Sequence, residues 1–278
     1  MKYKLIALDL DGTLIGQDLR LSEATRAAVA AAIGRGIMVT LATGRMFKAT
    51  RPFAMELNLS TPLICYQGAL IKDPLSGEEL FHLAIPLHLA RKAIEVIHGL
   101  GRHLNVYLDD ELYVAKLTPE AEAYTSHSRV EAHVVGDLLE FLKAGPTKIV
   151  VVCQPEVTDG VVAALQQSLG GELLVVKSFP IFCEIANLGC GKGQALAYLA
   201  NHFGIKREET VAIGDNLNDI DMIEWAGLGI AMGHSPAELL AVADMVTGTL
   251  AEDGAARAIE SVLAQAGHES TAMLSRSL

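Results

Sequence analysis

The chain has 278 residues, of which 51% are hydrophobic and 20% charged, and its formal net charge is −11. This composition excludes an intrinsically disordered protein, and the length allows one large domain or two modest ones. An acidic chain without a basic patch argues against a nucleic-acid polymer as partner. No stretch of about 18 apolar residues is free of charge, which argues against a membrane span. The N-terminus lacks the features of a signal peptide and the four cysteines lack metal-ligand spacing, so we expect a cytoplasmic protein with buried thiols.

The first part of the chain alternates short apolar runs with amphipathic segments. A strand over 5–8 is followed by a helix that is capped by Ser22, runs to Ile33 and ends at two glycines. A strand over 37–41, a helix over 47–57 and a strand over 63–66 follow. This β-α-β-α-β order predicts a parallel sheet with helices on its faces.

The pattern changes near Asp73-Pro74 and again at Pro86. A helix over 87–100, hairpin strands over 105–108 and 112–115 with a turn at 109–111, and strands over 148–153 and 173–177 are predicted next. After Asn187 the first pattern returns, with helices over 193–203 and 219–225 and strands over 211–213 and 228–231. We therefore predict an α/β fold, in which a doubly wound, parallel, Rossmann-like core is interrupted by an inserted α+β domain. The predicted ranges are 1–83 and 188–270 for the core, 84–187 for the insert and 271–278 for a flexible tail.

Polar side chains follow two of the predicted core strands. In open parallel sheets, functional residues gather beyond the carboxyl ends of the strands. Residues 9–13 read Asp-Leu-Asp-Gly-Thr, and two acids after a buried strand need a partner or a metal. A capping aspartate would explain Asp11 but not Asp9. Residues 43–45 read Thr-Gly-Arg before a helix, which suits an anion, although Thr43 as an ordinary N-cap is an alternative.

Two further clusters lie in the second half of the core. Lys192 stands before a helix in Gly-Cys-Gly-Lys-Gly, where a cation opposes the helix dipole unless a negative group is near. A solvated loop lysine is the alternative. The strand over 211–213 runs into Gly-Asp-Asn-Leu-Asn-Asp, which places Asp215 and Asp219 at a strand end or, alternatively, in a capped turn.

Taken together, these side chains form a set expected at one edge of one sheet. Carboxylates and water are the ligands that Mg²⁺ prefers. The set contains no histidine or cysteine, which argues against zinc. Mg²⁺ beside a lysine and a hydroxyl group describes a site for phosphoryl transfer.

The four motifs resemble, in composition and order, those of the haloacid dehalogenase superfamily, and in particular the Cof-like phosphatase branch with a large α/β cap. The resemblance covers nearly the whole chain, and the insert lies between the second and third motifs, as in that branch. It implies that the insert is a cap domain that closes over the core and excludes water. One departure stands at 67–69, where Gln-Gly-Ala replaces the usual Asn-Gly-Ala of the branch. This departure concerns local hydrogen bonding rather than the chemistry.

The resemblance implies the reaction and its metal. Asp9 would attack phosphorus and form an aspartyl-phosphate. Asp11 would protonate the leaving oxygen and then activate water. Mg²⁺ would be held by the Asp9 carboxylate, the backbone carbonyl of Asp11 and Asp215.

The remaining motif residues would position the phosphate. Thr43 would donate a hydrogen bond to the phosphoryl oxygens, and Lys192 would bridge Asp9 and the phosphate. Asp219 would orient Lys192 or a metal-bound water. Further contacts implied by the resemblance are the backbone amides of Leu10 and Gly44, the side chain of Asn218, and Arg45 toward the substrate or the cap.

We therefore predict a Mg²⁺-dependent phosphatase, a phosphoric monoester hydrolase acting on small phosphorylated metabolites. Residues 84–185 carry more acidic than basic side chains, which favours neutral polyhydroxyl leaving groups such as sugars over nucleotides. Two alternatives stay open: a phosphomutase, which would use the same Asp9, and a non-catalytic phospho-acceptor or ligand-binding protein, against which Asp11 and the insert argue. Four polar residues of the insert are candidates for contact with the leaving group, and the alternative is that they are ordinary surface residues. They are His103, Asn105, Glu184 and Asn187. The sequence leaves the oligomeric state undetermined.

Overall fold

The computed structural model describes residues 2–128 and 130–274. The backbone divides into two compact units. The first unit comprises Met1–Arg45, Thr50–Leu80 and Gly191–Leu278, and the second comprises Met46–Ala49 and Phe81–Cys190. Of the predicted tail, residues 271–274 lie in the last helix, and residues 275–278 lie outside the described residues.

The first unit is built on a five-stranded parallel sheet with the strand order β14-β13-β12-β1-β2. Its strands are β1 (Leu5–Leu8), β2 (Met38–Leu41), β12 (Thr210–Gly214), β13 (Leu228–Ala231) and β14 (Met245–Val246). Strand β1 lies in the middle, with Leu5 paired to Thr210 on one side and to Met38 on the other. All four residues of β1 are buried, which explains their uninterrupted apolar run.

A second, antiparallel sheet of β3 (Leu63–Cys65), β4 (Leu70–Lys72) and β5 (Glu79–His82) continues this unit. A parallel bridge between Ala42 and Ile64 places β3 beside the end of β2. The order of the parallel strands is therefore 3-2-1-12-13-14, and the direction of winding reverses between β1 and β12. Ligands of doubly wound folds bind at such a switch point, beyond the carboxyl ends of the strands. The predicted doubly wound core is confirmed.

Helices connect the strands of the first unit. They are α1 (Glu23–Gly34), α2 (Phe47–Glu56), α7 (Lys192–His202), α8 (Ile220–Trp225), α9 (Ala237–Val242) and α10 (Gly254–Leu274). Helix α1 packs against α10, and α7 packs against α8. The predicted cap of α1 is present, since the hydroxyl oxygen of Ser22 accepts a hydrogen bond from the backbone N–H of Thr25 at 3.1 Å.

The second unit contains a six-stranded sheet with the order β10-β11-β9-β6-β7-β8. Its strands are β6 (His103–Leu108), β7 (Glu111–Val114), β8 (Ala132–Val134), β9 (Lys148–Val152), β10 (Leu173–Phe179) and β11 (Phe182–Asn187). The helices are α3 (Leu87–Gly99), α4 (Pro119–Ser128), α5 (Leu138–Phe141) and α6 (Pro155–Leu169). Apolar residues of α3 and α6 form a core with alternate residues of β6, β9, β10 and β11. This is the α+β insert that the sequence predicts.

Residues 47–49, the first turn of helix α2, belong to the second unit, and this turn is capped there. Asp109 and Asp110 form the tight turn between β6 and β7, with φ of 52° and 58°. The carboxylate of Asp110 accepts hydrogen bonds from the backbone N–H of Phe47 at 2.9 Å and of Lys48 at 2.8 Å. A side chain distant in sequence therefore satisfies the free amides at the start of α2.

None of the helices within residues 2–128 and 130–274 has both the length and the apolar character that crossing a membrane requires.

Candidate active site

The carboxyl ends of β1 and β12 bring Asp9 and Asp215 together. The backbone N–H of Asp9 donates to the carbonyl of Ile213 at 2.9 Å, which continues the pairing of the two strands. Gly12, with φ of 90°, turns the chain away from β1. A Cβ atom on Gly12 would lie 2.3 Å from Oδ2 of Asp215, so only glycine allows this close approach.

Lys192 is the first residue of α7, and its side chain is fully buried. Its Nζ atom lies 2.6 Å from Oδ1 of Asp9 and 2.6 Å from Oδ1 of Asp219. The alternative of a solvated loop lysine is therefore wrong. Burial by itself lowers the pKa of Lys192, but the charges of Asp219 and Asp9 outweigh it and raise the pKa above its ordinary value. Lys192 is thus a buried cation that contacts two carboxylates.

Asp219 holds Lys192 in place. Its second carboxylate oxygen, Oδ2, accepts hydrogen bonds from the backbone N–H of Asp215 and of Asn216, both at 3.0 Å. Because Oδ1 contacts Lys192, both oxygens of Asp219 already have partners. Asp219 is therefore suited to orient its neighbours rather than to hold a metal.

The donor set fits a divalent cation. Carboxylate oxygens of Asp9, Asp215 and Asp219 lie within 4.8 Å of one another. Three carboxylates and the single positive charge of Lys192 leave a formal charge of −2. Burial, followed by the charge of Asp219, raises the pKa of both Asp9 and Asp215. With Asp219 occupied by other groups, Asp9 and Asp215 remain for an oxygen-preferring ion such as Mg²⁺.

Asp11 is paired with Arg45. The Nε atom of Arg45 lies 2.7 Å from Oδ2 of Asp11, and a terminal nitrogen lies 2.6 Å from Oδ1. This two-point contact is strong and directional. Each oxygen of Asp11 accepts one of these bonds and keeps a second lone pair for another partner. The guanidinium group of Arg45 thus lies on the predicted acid/base.

Thr43 lies in the loop after β2 and is buried. Its hydroxyl oxygen accepts the backbone N–H of Arg45 at 3.2 Å, two residues on, which is a local turn rather than a helix cap. Helix α2 begins only at Phe47, so the alternative of an N-cap threonine is wrong. Gly44 follows Thr43 in the same loop, and Leu10 lies buried between the two acids after β1. The exposed Asn218 donates through Nδ2 to Oε1 of Gln67 at 3.0 Å.

The sequence pattern of haloacid dehalogenase-like hydrolases matches residues 6–259. The chain belongs to this family. The resemblance derived from the four motifs is thereby confirmed.

Individual relatives of the hydrolase support an enzyme that acts on phosphate esters. A Bacillus subtilis protein named 5-amino-6-(5-phospho-D-ribitylamino)uracil phosphatase YcsE is 32% identical, covering 92% of this chain and 94% of that one. A haloacid dehalogenase-like hydrolase from Bacteroides thetaiotaomicron has a crystal structure with a TM-score of 0.86 and 30% identity, covering 94% of this chain and 100% of that one. The subclass IIB sugar phosphatase BT4131 has a TM-score of 0.80 and 25% identity, covering 93% and 98%. The hydrolase is a phosphoric monoester hydrolase, as the sequence predicts.

Three residues of the hydrolase site have no role in the sequence-based prediction. Thr13 donates its hydroxyl to Oδ1 of Asp215 at 2.9 Å, and Nε2 of His234 lies 3.6 Å from Oδ2 of the same residue. Asp221 accepts the backbone N–H of Gly193 at 2.8 Å and so fixes the start of α7. Thr13 belongs to the quoted motif Asp-Leu-Asp-Gly-Thr, and Asp221 lies two residues after Asp219. His234 follows β13, so the rule that sites lie at strand ends would have found it.

Proposed function

We propose that the enzyme is a Mg²⁺-dependent phosphatase that hydrolyses small phosphorylated metabolites, sugar phosphates foremost, through an aspartyl-phosphate on Asp9. The observation that carries this proposal is the buried contact of Lys192 with Asp9 at 2.6 Å, beside the second acid Asp215. A carboxylate that is held in place, with a cation at one oxygen, is oriented for attack on phosphorus.

In this proposal Asp9 and Asp215 hold Mg²⁺, together with the backbone carbonyl of Asp11. The ion supplies positive charge that offsets the repulsion between an anionic nucleophile and an anionic phosphate. Lys192 stabilises the charge that develops on the phosphoryl oxygens, and Asp219 keeps its ammonium group between Asp9 and the phosphate.

Asp11 carries the proton. It gives a proton to the leaving oxygen in the first half-reaction and removes one from water in the second. Arg45 orients Asp11, because both oxygens of Asp11 contact its guanidinium group. Thr43 and the backbone amides of Leu10 and Gly44 complete the set of donors to the phosphoryl oxygens.

Two observations support a polyhydroxyl leaving group. Residues 84–185 carry more acidic than basic side chains, which disfavours leaving groups with several negative charges. A sugar phosphatase and a phosphatase of a phosphoribityl compound are among the relatives, and both names describe a polyhydroxyl chain that bears phosphate.

The test is phosphate release from a panel of phosphorylated sugars, nucleotides and an aryl phosphate, with Mg²⁺ or with EDTA. Wild type should release phosphate only with Mg²⁺, and sugar phosphates should rank first by kcat/KM. Asp9→Asn should lose activity by about 10⁴-fold or more, and Asp11→Asn by about 10²-fold or more. Asp159→Asn, at an exposed position, is the matched control.

Three outcomes would contradict the proposal. Activity that survives in Asp9→Asn would remove the assigned nucleophile. Conversion of a sugar phosphate into its isomer without free phosphate would indicate a phosphomutase. Binding of phosphorylated ligands with no turnover of any of them would indicate a ligand-binding protein.

A further inference from the structure

The turn after β3 is tied to the loop that carries Thr43 and Gly44. The backbone N–H of Tyr66 donates to the carbonyl of Arg45 at 2.9 Å, and that of Gln67 donates to the carbonyl of Thr43 at 3.0 Å. Tyr66 and Gln67 have φ of 52° and 57°, values in the left-handed region. Two consecutive non-glycine residues in this region are costly and persist where the surroundings hold them. The surroundings therefore hold this turn in a costly conformation beside the loop that carries Thr43 and Gly44.

The side chain of Gln67 lies across Gly44. A Cβ atom built on Gly44 would lie 2.5 Å from Nε2 of Gln67 and 3.0 Å from its Cδ atom. The φ of Gly44 lies outside the left-handed region, so alanine could adopt this backbone conformation. An alanine at position 44 would therefore require the amide group of Gln67 to move.

The other end of the same amide contacts Asn218. Oε1 of Gln67 accepts the Nδ2 group of Asn218 at 3.0 Å. Asn218 is exposed, and an exposed side chain loses rotamer freedom when it is held in one position. One side chain thus contacts both the Thr43-Gly44 loop and the loop after β12.

We propose that Gln67 is a positioning residue that fixes Gly44 and Asn218 relative to each other for binding of the phosphoryl group. The inference rests on the proposed function, in which the backbone amide of Gly44 and the side chain of Asn218 face the phosphate. When the groups that bind a substrate are already held in place, less of the binding free energy is lost in ordering them. A methyl group at position 44 would displace the amide of Gln67, which also contacts Asn218.

A double-mutant cycle tests the coupling. Gly44→Ala, Gln67→Ala and the double variant are compared with wild type, by kcat and KM for an aryl phosphate and by the Kd of inorganic phosphate from calorimetry with Mg²⁺. Gly44→Ala should lower kcat/KM and weaken phosphate binding by about 10-fold or more when Gln67 is present. In the Gln67→Ala background the same change should cost less than about 2-fold.

Two control variants separate this coupling from general effects of such substitutions. Gly160→Ala places a Cβ atom where nothing lies within 4 Å, and Gln167 is exposed on α6. Gly160→Ala and Gln167→Ala should leave kcat/KM and phosphate binding within about 2-fold of wild type. If Gly44→Ala is equally harmful with and without Gln67, its methyl group acts on the substrate directly and the inference fails.

Gln67→Glu provides a test that does not depend on Gly44. Glutamate has the length of glutamine and keeps an oxygen that can accept from Asn218, but it places a negative charge over Gly44. We expect an unchanged melting temperature and an increase of about 10-fold or more in KM and in the Kd of phosphate. Phosphate binding at the wild-type level would show a purely structural role and overturn the inference.

The calorimetric arm distinguishes the two possible failures. If Asp9→Asn remains active, the proposed function fails, yet the coupling in phosphate binding can still support a phosphate pocket positioned by Gln67. If Asp9→Asn is inactive and no coupling appears, the proposed function stands and the inference about Gln67 fails.

Discussion

Each unit of the hydrolase contains a buried lysine that contacts a carboxylate, but the charge around the two lysines differs. In the first unit, Lys192 contacts Asp9 and Asp219, each at 2.6 Å, and Asp215 adds a further acid. In the second unit, Nζ of Lys148 lies 3.2 Å from Oε2 of Glu184. The first cluster has a surplus of negative charge, whereas the second is a balanced pair.

The surroundings of Lys148 complete this balance. Its Nζ atom lies 5.4 Å from the ring centre of Tyr107, whose hydroxyl contacts that of Tyr124 at 2.7 Å. Burial by itself lowers the pKa of Lys148, but the charge of Glu184 outweighs it and raises the pKa. A buried ion pair of this kind is therefore not by itself a sign of catalysis. The uncompensated charge at Asp9, Asp215 and Asp219 is what indicates a site for a cation and a reaction.

The largest effect is expected from Lys192→Met. The change removes the cation that contacts Asp9, so kcat/KM for phosphate release should fall by about 10³-fold or more. Lys143→Met, at an exposed position of the second unit, is the matched control and should change kcat/KM by less than about 2-fold. Circular dichroism should show that both variants fold. If Lys192→Met keeps kcat/KM within 10-fold of wild type, phosphate release at the acidic cluster does not depend on this cation.

The second prediction concerns the balanced pair. Lys148→Met leaves Glu184 buried without its cation, and the free energy of unfolding in urea should fall by about 3 kcal/mol. Lys148→Met with Glu184→Leu removes both charges and should recover most of this loss, because apolar replacement of a whole buried pair is often neutral. If the double variant is as unstable as Lys148→Met, the buried Glu184 without its cation is not the cause of the lost stability.

The third prediction uses stability to detect the metal in the acidic cluster. A ligand that binds only the folded state at 100 times its Kd adds about 2.7 kcal/mol to the free energy of unfolding, so Mg²⁺ should stabilise wild type by this order. Asp215→Asn should lose most of the gain, whereas the exposed control Asp159→Asn should keep it. Equal stabilisation of wild type and Asp215→Asn by Mg²⁺ would place the ion elsewhere.

The two units were also predictable from the sequence to different degrees. In the first unit, four buried residues of β1 form an apolar run that ends at Asp9, and both the strand and the site follow from this local pattern. In the second unit, β11 was missed although it lies between β9 and β10 in the sheet. Its run Phe-Cys-Glu-Ile-Ala-Asn is interrupted by Glu184, which is buried because Lys148 lies on the neighbouring strand. Such a pairing depends on residues far apart in the chain.

The site shows the same limit. That residues at the ends of their own strands, such as Asp9 and Asp215, lie close together could be predicted from position alone. The contact of Arg45 with Asp11 and that of Asp110 with the first turn of α2 could not, because both depend on how distant loops meet. Gln67 was noticed only as a departure from the related branch, and its contacts with Gly44 and Asn218 required the structure.

The smallest effect is expected from Tyr124→Phe, which tests how far the balanced pair depends on its neighbours. The change removes the hydroxyl that contacts Tyr107 but keeps the ring, which packs edge-on against Phe182 with centroids 5.0 Å apart. The free energy of unfolding in urea should fall by about 1 kcal/mol, the usual contribution of one hydrogen bond. Tyr113→Phe is the control, since its ring contact with Phe141 at 4.6 Å is retained. A loss as large as that of Lys148→Met would mean that the tyrosines and the ion pair form one cooperative network. The balanced pair would then differ from the acidic cluster in how its side chains are linked to their neighbours, rather than in its charge.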